Sequence, residues 1–241
     1  MSLLSVAAWQ PTNRVDLGGG REVLVYDNFL SQPDQVRAYG QARMPEFVHN
    51  KANKFPGIEY VLPDDCVSGV RDWVRNHLIK QFAVMRGGLS LLARMSLVSM
   101  PPEQLAWGQR FCHRDSVNAD PAKRLLAGVL YLFDDPLLGG TSFFDLHDES
   151  AFREMNMLYR GRRYAELMSR YPGFFESPAY MTGDNRFFSL LATVPPAFNR
   201  AIFYDGSIYH SGDIRAPSRL AGTYEAGRAT VNFFIEGLRS A

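Results

Sequence analysis

An α+β fold, with helices early and a closed or sandwiched antiparallel sheet after them, is what the sequence predicts, and three observations carry it. Apolar residues recur at helical spacing in two early stretches. Several short runs rich in β-branched and aromatic residues follow. No regular strand-helix-strand alternation links those runs, so a parallel α/β sheet is not indicated.

The first strand is expected at 22–27, rich in β formers, after a loose arm that ends in Gly18-Gly19-Gly20. Ser31, Pro33 and Asp34 then announce a helix to about Met44: the serine can cap, proline is tolerated in the first turn, and the carboxylate answers the orphan amides. An irregular, proline-punctuated connection spans 45–63. A second helix follows from Pro63-Asp64-Asp65, with Val67, Val70, Val74, Leu78 and Phe82 as its buried stripe and Trp73 and His77 flanking it.

Residues 89–100 read as a strand closed by Pro101-Pro102. The nearly continuous apolar run 125–133, too short for a typical helix and stopped by Asp134-Asp135-Pro136, reads as a central strand. Gly139-Gly140 turns the chain into a strand at 141–144. Residues 148–182 interrupt the pattern with an arginine-rich, amphipathic helical insert over 152–171, and strands at 187–194, 200–204 and 228–236 complete the chain.

At 241 residues, 46% hydrophobic, the chain suits one large core, and a single domain over 1–241 is expected. Its 26 basic and 25 acidic residues nearly cancel, which gives no net field to collect nucleic acid or an anionic membrane. Cys66 and Cys112 form no CxxC pair, so neither a disulfide framework nor a zinc ribbon is suggested. No apolar stretch approaches a membrane span and the first residues lack a basic leader, so a soluble, cytoplasmic protein is expected.

The chemistry gathers at Phe111-Cys112-His113-Arg114-Asp115. An imidazole and a carboxylate two residues apart on an extended segment point the same way. His210, in Tyr209-His210-Ser211, supplies a second imidazole. Two histidines and one carboxylate on one face of an octahedral ion leave neighbouring positions open, which suits Fe(II) and a chelating cosubstrate. Arg228 and Thr230 share a parity on the last strand, so a guanidinium and a hydroxyl can together receive a carboxylate, a contact of roughly 1.5 to 3 kcal/mol.

Competing positions read as structural. His147-Asp148-Glu149 is a second His-x-Glu, but it follows the Gly-Gly-Thr strand and reads as a solvated loop. His77 lies beside a buried helical stripe, His49 in a loop. Arg219 precedes a glycine-containing loop, whereas Arg228 opens an apolar strand. Tyr131 is a core tyrosine or a cosubstrate contact. The arginine-rich insert is a solvated face or a lid over an acidic substrate, and Trp107, Gln109 and Arg110 approach the metal pair by sequence.

Taken in order, His113-Arg114-Asp115, Tyr131 with Gly139-Gly140-Thr141-Ser142-Phe143-Phe144, His210, and Arg228-Ala229-Thr230 resemble the 2-oxoglutarate and Fe(II)-dependent dioxygenases. The likeness is greatest to the prolyl-hydroxylase-like branch, within it to a bacterial subgroup, and it extends over about residues 22–236, beginning with Val25-Tyr26-Asp27-Asn28-Phe29-Leu30. The resemblance implies a double-stranded β-helix (jelly roll) with flanking helices. It implies iron on His113, Asp115 and His210, and the distal carboxylate of 2-oxoglutarate on Arg228, supported by Thr230 and Tyr131. Hydroxylation of an amino-acid, peptidyl or small organic substrate would follow, with succinate and carbon dioxide released. Because related halogenases vacate the carboxylate position, Asp115 favours hydroxylation. Two departures stand: the branch more often uses lysine where Arg228 stands, and the insert at 148–182 has no counterpart. A zinc hydrolase on the same ligands, with an activated water, is the alternative, disfavoured by Arg228 and the lack of His-Glu-x-x-His. A non-catalytic binding domain is a third.

Overall fold

Three consecutive glycines, Gly18, Gly19 and Gly20, with φ of 77°, 62° and 73°, close a hairpin between β1 (Asn13–Gly18) and β2 (Arg21–Tyr26). Glycine adopts this left-handed backbone without the Cβ penalty. The expected loose arm is therefore in part an edge strand. Only Leu17 of β1 is buried, so no alternation marks it in the sequence.

The computed structural model describes residues 2–50, 55–84, 88–115, 120–174 and 178–239. Its strands pair antiparallel throughout. A seven-stranded sheet runs β1-β2-β8-β5-β10-β4-β3, with β3 (Gly57–Val61), β4 (Ser90–Val98), β5 (Lys123–Tyr131), β8 (Arg200–Asp205) and β10 (Arg228–Leu238). A three-stranded sheet runs β7-β6-β9, with β6 (Thr141–Leu146), β7 (Phe188–Val194) and β9 (Tyr209–Gly212). Among the described residues the helices are α1 (Pro33–Ala42), α2 (Ser68–Trp73), α3 (Ile79–Gln81), α4 (Glu149–Arg160) and α5 (Tyr164–Arg170).

The large sheet has two differently used faces, set by the two-residue period of its strands. On β10, Ala229, Val231, Phe233 and Ile235 join one apolar cluster with Val36 of α1, Val70 and Trp73 of α2 and Ile79 of α3. On the other face, Val23, Val25, Ala127, Tyr131 and Ile202 pack against Phe143 and Val194 of the small sheet. Strand β5, paired with both β10 and β8, is central and buried on both sides, which is why its sequence is almost continuously apolar.

The helical stripe Val67, Val70, Val74, Leu78 and Phe82 is buried as its spacing predicts, but α2 starts later than expected, and a π turn at Val74–Leu78 joins α2 to α3. Trp73 is itself buried and meets Tyr26, Phe29 and Phe203 at ring distances of 5.2, 5.1 and 5.3 Å. The residue capping α1 is Gln32, with no side-chain bond; the Ser31 hydroxyl donates instead to the Ser5 carbonyl at 3.3 Å. Within the expected irregular connection 45–63 lies β3, whereas 51–54 fall outside the described residues.

The insert is helical but not one helix. It divides into α4 and α5 at Gly161 and Arg162, the latter with φ 56°, and positions 175–177 lie outside the described residues. Met155 and Leu158 anchor α4 in a cluster with Trp107, Phe111 and Phe187. Among the described residues no helix is long and apolar enough to cross a membrane.

Candidate metal centre

Main-chain pairing brings the two histidines together. His113 and His210 form an antiparallel bridge, each amide donating to the other's carbonyl at 2.9 Å, so the segment carrying His113 lies along the free edge of β9. Two residues on, the Asp115 amide donates to the carbonyl of Gly206, in the turn between β8 and β9, also at 2.9 Å. The side chains converge accordingly. Asp115 Oδ1 lies 3.5 Å from His113 Nε2 and Oδ2 lies 3.4 Å from His210 Nε2, and the imidazole centroids are 4.5 Å apart. One donor atom from each residue falls within 4.8 Å of the others, a grouping able to hold a metal ion.

The surroundings tune these donors. His210 is buried against Tyr204, 4.8 Å between ring centres, and its Nδ1 donates to the Ile208 carbonyl at 2.9 Å. That bond leaves the Nε2 lone pair facing Asp115, the tautomer a metal needs. Burial lowers the pKa of His210 to about 4, so the ring is neutral at neutral pH. For Asp115, burial pushes the pKa up and the imidazoles of His210 and His113 pull it down; the net shift is downward and the carboxyl is ionised at neutral pH. His113, by contrast, has an exposed side chain.

The cluster opens on a cavity of about 940 Å³, whose walls also include Arg228, Thr141, Tyr204, Arg94 and Asn232. Arg228 is buried at the start of β10. Its Nε donates to the carbonyls of Leu138 and Gly139 at 3.1 Å each, and its Nη2 donates to that of Gly140 at 2.7 Å. Among the described residues no carboxylate lies within ion-pair distance of it, and burial lowers its pKa. The Thr230 hydroxyl, on the same face of β10, is buried without a hydrogen-bond partner among the described residues. The Thr230 hydroxyl is left wanting a partner, whereas Arg228 has carbonyl acceptors but no paired carboxylate.

The carbonyl cradle depends on Gly139, with φ 77°, where an added Cβ would meet the Asp213 carbonyl oxygen at 1.9 Å. Gly139→Ala is expected to cost at least about 2 kcal/mol, from left-handed strain plus the backbone clash. Urea denaturation checks this, and a variant as stable as the parent would show that the turn does not need that close approach.

Tyr131, opposite Thr230 in the β5–β10 pairing, is buried behind Thr141, whose Oγ1 lies 2.7 Å from its hydroxyl. Burial raises the pKa of Tyr131 to about 12. The competing positions lie elsewhere. Asp148 caps α4 by accepting from Ala151, and His147 bonds the Arg186 carbonyl at 2.8 Å. His77 meets Trp9 edge-on and stacks against Trp73, His49 is exposed, and Arg219 pairs with Asp135 at 2.5 Å. Of the residues leading to His113, Gln109 reaches the cavity wall; Trp107 is buried on Tyr159, and Arg110 Nε donates to the Leu105 carbonyl.

One residue was missed from sequence, and the side of the insert that meets the cavity was left open. Tyr204 lines the cavity, and nothing in an apolar strand singles it out. Glu149, Phe152, Arg153, Asn156, Met157 and Arg160 put one face of α4 along the cavity, at spacings of three and four that were legible but could not be aimed.

Two antiparallel sheets around a cavity, with a His/Asp/His cluster on its wall that could hold a metal ion and a buried guanidinium in the same wall, define a mixed α/β protein. The chain belongs to DUF6445, a family of unknown function, whose profile matches residues 10–235. No curated protein matches the sequence. Similar solved structures include a Pseudomonas putida prolyl-4-hydroxylase, at 15% identity and a TM-score of 0.42, covering 92% of this chain and 95% of that one. A 2OG-Fe(II) oxygenase family oxidoreductase from Burkholderia pseudomallei is similar at 12% identity and 0.42, covering 91% and 88%. HygX from Streptomyces hygroscopicus, solved with nickel, 2-oxoglutarate and hygromycin B bound, is similar at 11% identity and 0.43, covering 90% and 82%.

Proposed function

We propose that the protein is an Fe(II)- and 2-oxoglutarate-dependent dioxygenase that hydroxylates a C–H bond of an amino-acid, peptidyl or small organic substrate, on a double-stranded β-helix core. The observation that carries this is a buried arginine with no carboxylate partner in the same cavity as a His/Asp/His cluster. A buried cation with no carboxylate at ion-pair distance is costly, and a bound dianion would supply a direct partner.

The donor set fits iron. His113 and His210 offer imidazole nitrogen and Asp115 an oxygen, the ligand types suited to Fe(II), in a three-donor arrangement that leaves coordination positions free. When bound, the metal would supply oxidative chemistry that couples decarboxylation of the keto acid to oxidation of substrate, and that chemistry is the cofactor's own. The chain's residues bind and orient. The bond from His210 Nδ1 to Ile208 fixes that ring, Arg228 and Thr230 receive the distal carboxylate, and Thr141 and Tyr204 offer hydroxyls along the same wall. Phe111, Phe152 and Met181 give the rest of the cavity an apolar lining that excludes water. A zinc hydrolase on the same three ligands would leave Arg228 and the unpaired Thr230 hydroxyl without a task.

The test is spectroscopic. Anaerobic addition of Fe(II) and 2-oxoglutarate is expected to produce a visible charge-transfer band, and addition of oxygen with substrate to release succinate. A protein that binds neither metal nor cosubstrate, and gives no band, would not be an enzyme of this kind.

A further inference from the structure

One face of α4 forms the rim of the cavity, and its charge is unbalanced. Arg153 and Arg160 lie on that face with Asn156 between them, and Arg114, next to the metal cluster, adds a third cation. Glu149 is the one carboxylate that α4 brings to the rim, paired with Arg153 at 2.7 Å. Arg160 makes no ion pair among the described residues. Arg114 stacks over the Tyr209 ring at 4.8 Å and makes no ion pair among the described residues. Three cations thus face one anion in a chain whose overall charge is only +1.

Elsewhere in the cavity one charge pair is matched. Arg94 on the opposite wall stands 3.5 Å from the buried Glu59, so that pair is close to neutral as a unit. Asp115 and Arg228 are committed to the metal and the cosubstrate in the reading above. Between rim and metal cluster the walls are largely apolar, with Phe55, Phe111, Phe152, Met157, Met181 and Phe234 among them. Such a site accepts an apolar body inside and holds a negative group at its mouth, where convergent positive charge draws anions in.

We propose that the substrate is an amphipathic anion, its acidic group bound at the rim by Arg153 and Arg160 of α4 and its apolar portion directed toward His113, Asp115 and His210. This rests on the oxygenase reading for the reaction, but the rim can be tested without it. In the metal-free protein, 1-anilinonaphthalene-8-sulfonate, an apolar anion, is compared with the uncharged N-phenyl-1-naphthylamine by fluorescence titration. Arg153→Gln/Arg160→Gln keeps helix-forming residues at two exposed positions. The double variant is expected to weaken sulfonate binding at least about fivefold while the neutral dye stays within about twofold. Unchanged sulfonate affinity, or equal loss of both dyes, overturns the proposal. With Fe(II), 2-oxoglutarate and oxygen supplied, aromatic and aliphatic carboxylic acids are expected to stimulate succinate release more than their methyl esters, and equal stimulation by the esters also overturns it. A charge-selective rim in a protein that never consumes 2-oxoglutarate would instead remove the reaction and leave the anion site standing.

Discussion

His210→Ala is expected to abolish the anaerobic Fe(II)–2-oxoglutarate band and to lower Fe(II) affinity by at least about 100-fold, since loss of a mere outer-shell partner already costs about 10- to 100-fold. The imidazole supplies one of three donor atoms, and its Nδ1 bond to Ile208 fixes the ring that presents Nε2. The loss should be local. His210 pairs with His113 through backbone amides and carbonyls that alanine retains, so the β9 edge stays closed and folding stability falls by only about 1 to 3 kcal/mol. Metal titration followed by fluorescence or calorimetry, with thermal unfolding alongside, reads both. His147→Ala is the control: that imidazole bonds the Arg186 carbonyl and the Ser189 hydroxyl, away from the cluster, and its removal should leave metal affinity unchanged. Undiminished Fe(II) binding by the His210 variant would remove the metal centre from its assigned place.

Arg228→Met is expected to weaken 2-oxoglutarate binding roughly 10- to 100-fold, the equivalent of a charge-assisted contact of roughly 1.5 to 3 kcal/mol, with Fe(II) affinity intact. Two effects on stability oppose each other. The Leu138 and Gly139 carbonyls lose the Arg228 donor, at about 1 to 3 kcal/mol for each acceptor left buried and unpaired, while the Gly140 carbonyl keeps the Asp213 amide and a buried charge with no ion-pair partner is removed. A net change within about 2 kcal/mol follows if the two nearly offset. Arg228→Lys should recover part of the affinity, because an ammonium keeps the charge but not the planar fork. Isothermal titration in the presence of Mn(II) or anaerobic Fe(II) gives the numbers. Full 2-oxoglutarate affinity in the methionine variant would move the cosubstrate's acid away from Arg228 without disturbing the metal ligands.

Strands with strong patterning were legible before any coordinates. The run ending at Phe133, the strand opening at Arg228 and the stripe from Val67 to Phe82 all stand out because burial on both faces, or along one helical stripe, dictates their composition. β1, β3 and β9 were not, since each is short or half exposed and its apolar residues are too few to show a period. The same holds for Tyr204, one aromatic among several in a buried strand. Its place on the cavity wall depends on which face of β8 meets the small sheet.

Local order along the chain was enough to nominate a His-x-Asp pair, a later histidine and an arginine opening a strand, because each is a short-range pattern with its own chemical meaning. Their meeting was a matter of folding. The bridge between the His113 and His210 backbones, the bond from Asp115 to the β8–β9 turn and the three carbonyls around Arg228 join segments far apart in sequence, and such long-range pairings leave no local trace. The rim of α4 shows the same division: its arginines are plain in the sequence, but the burial of Met155 and Leu158 against the core decides that Arg153 and Arg160 face the cavity.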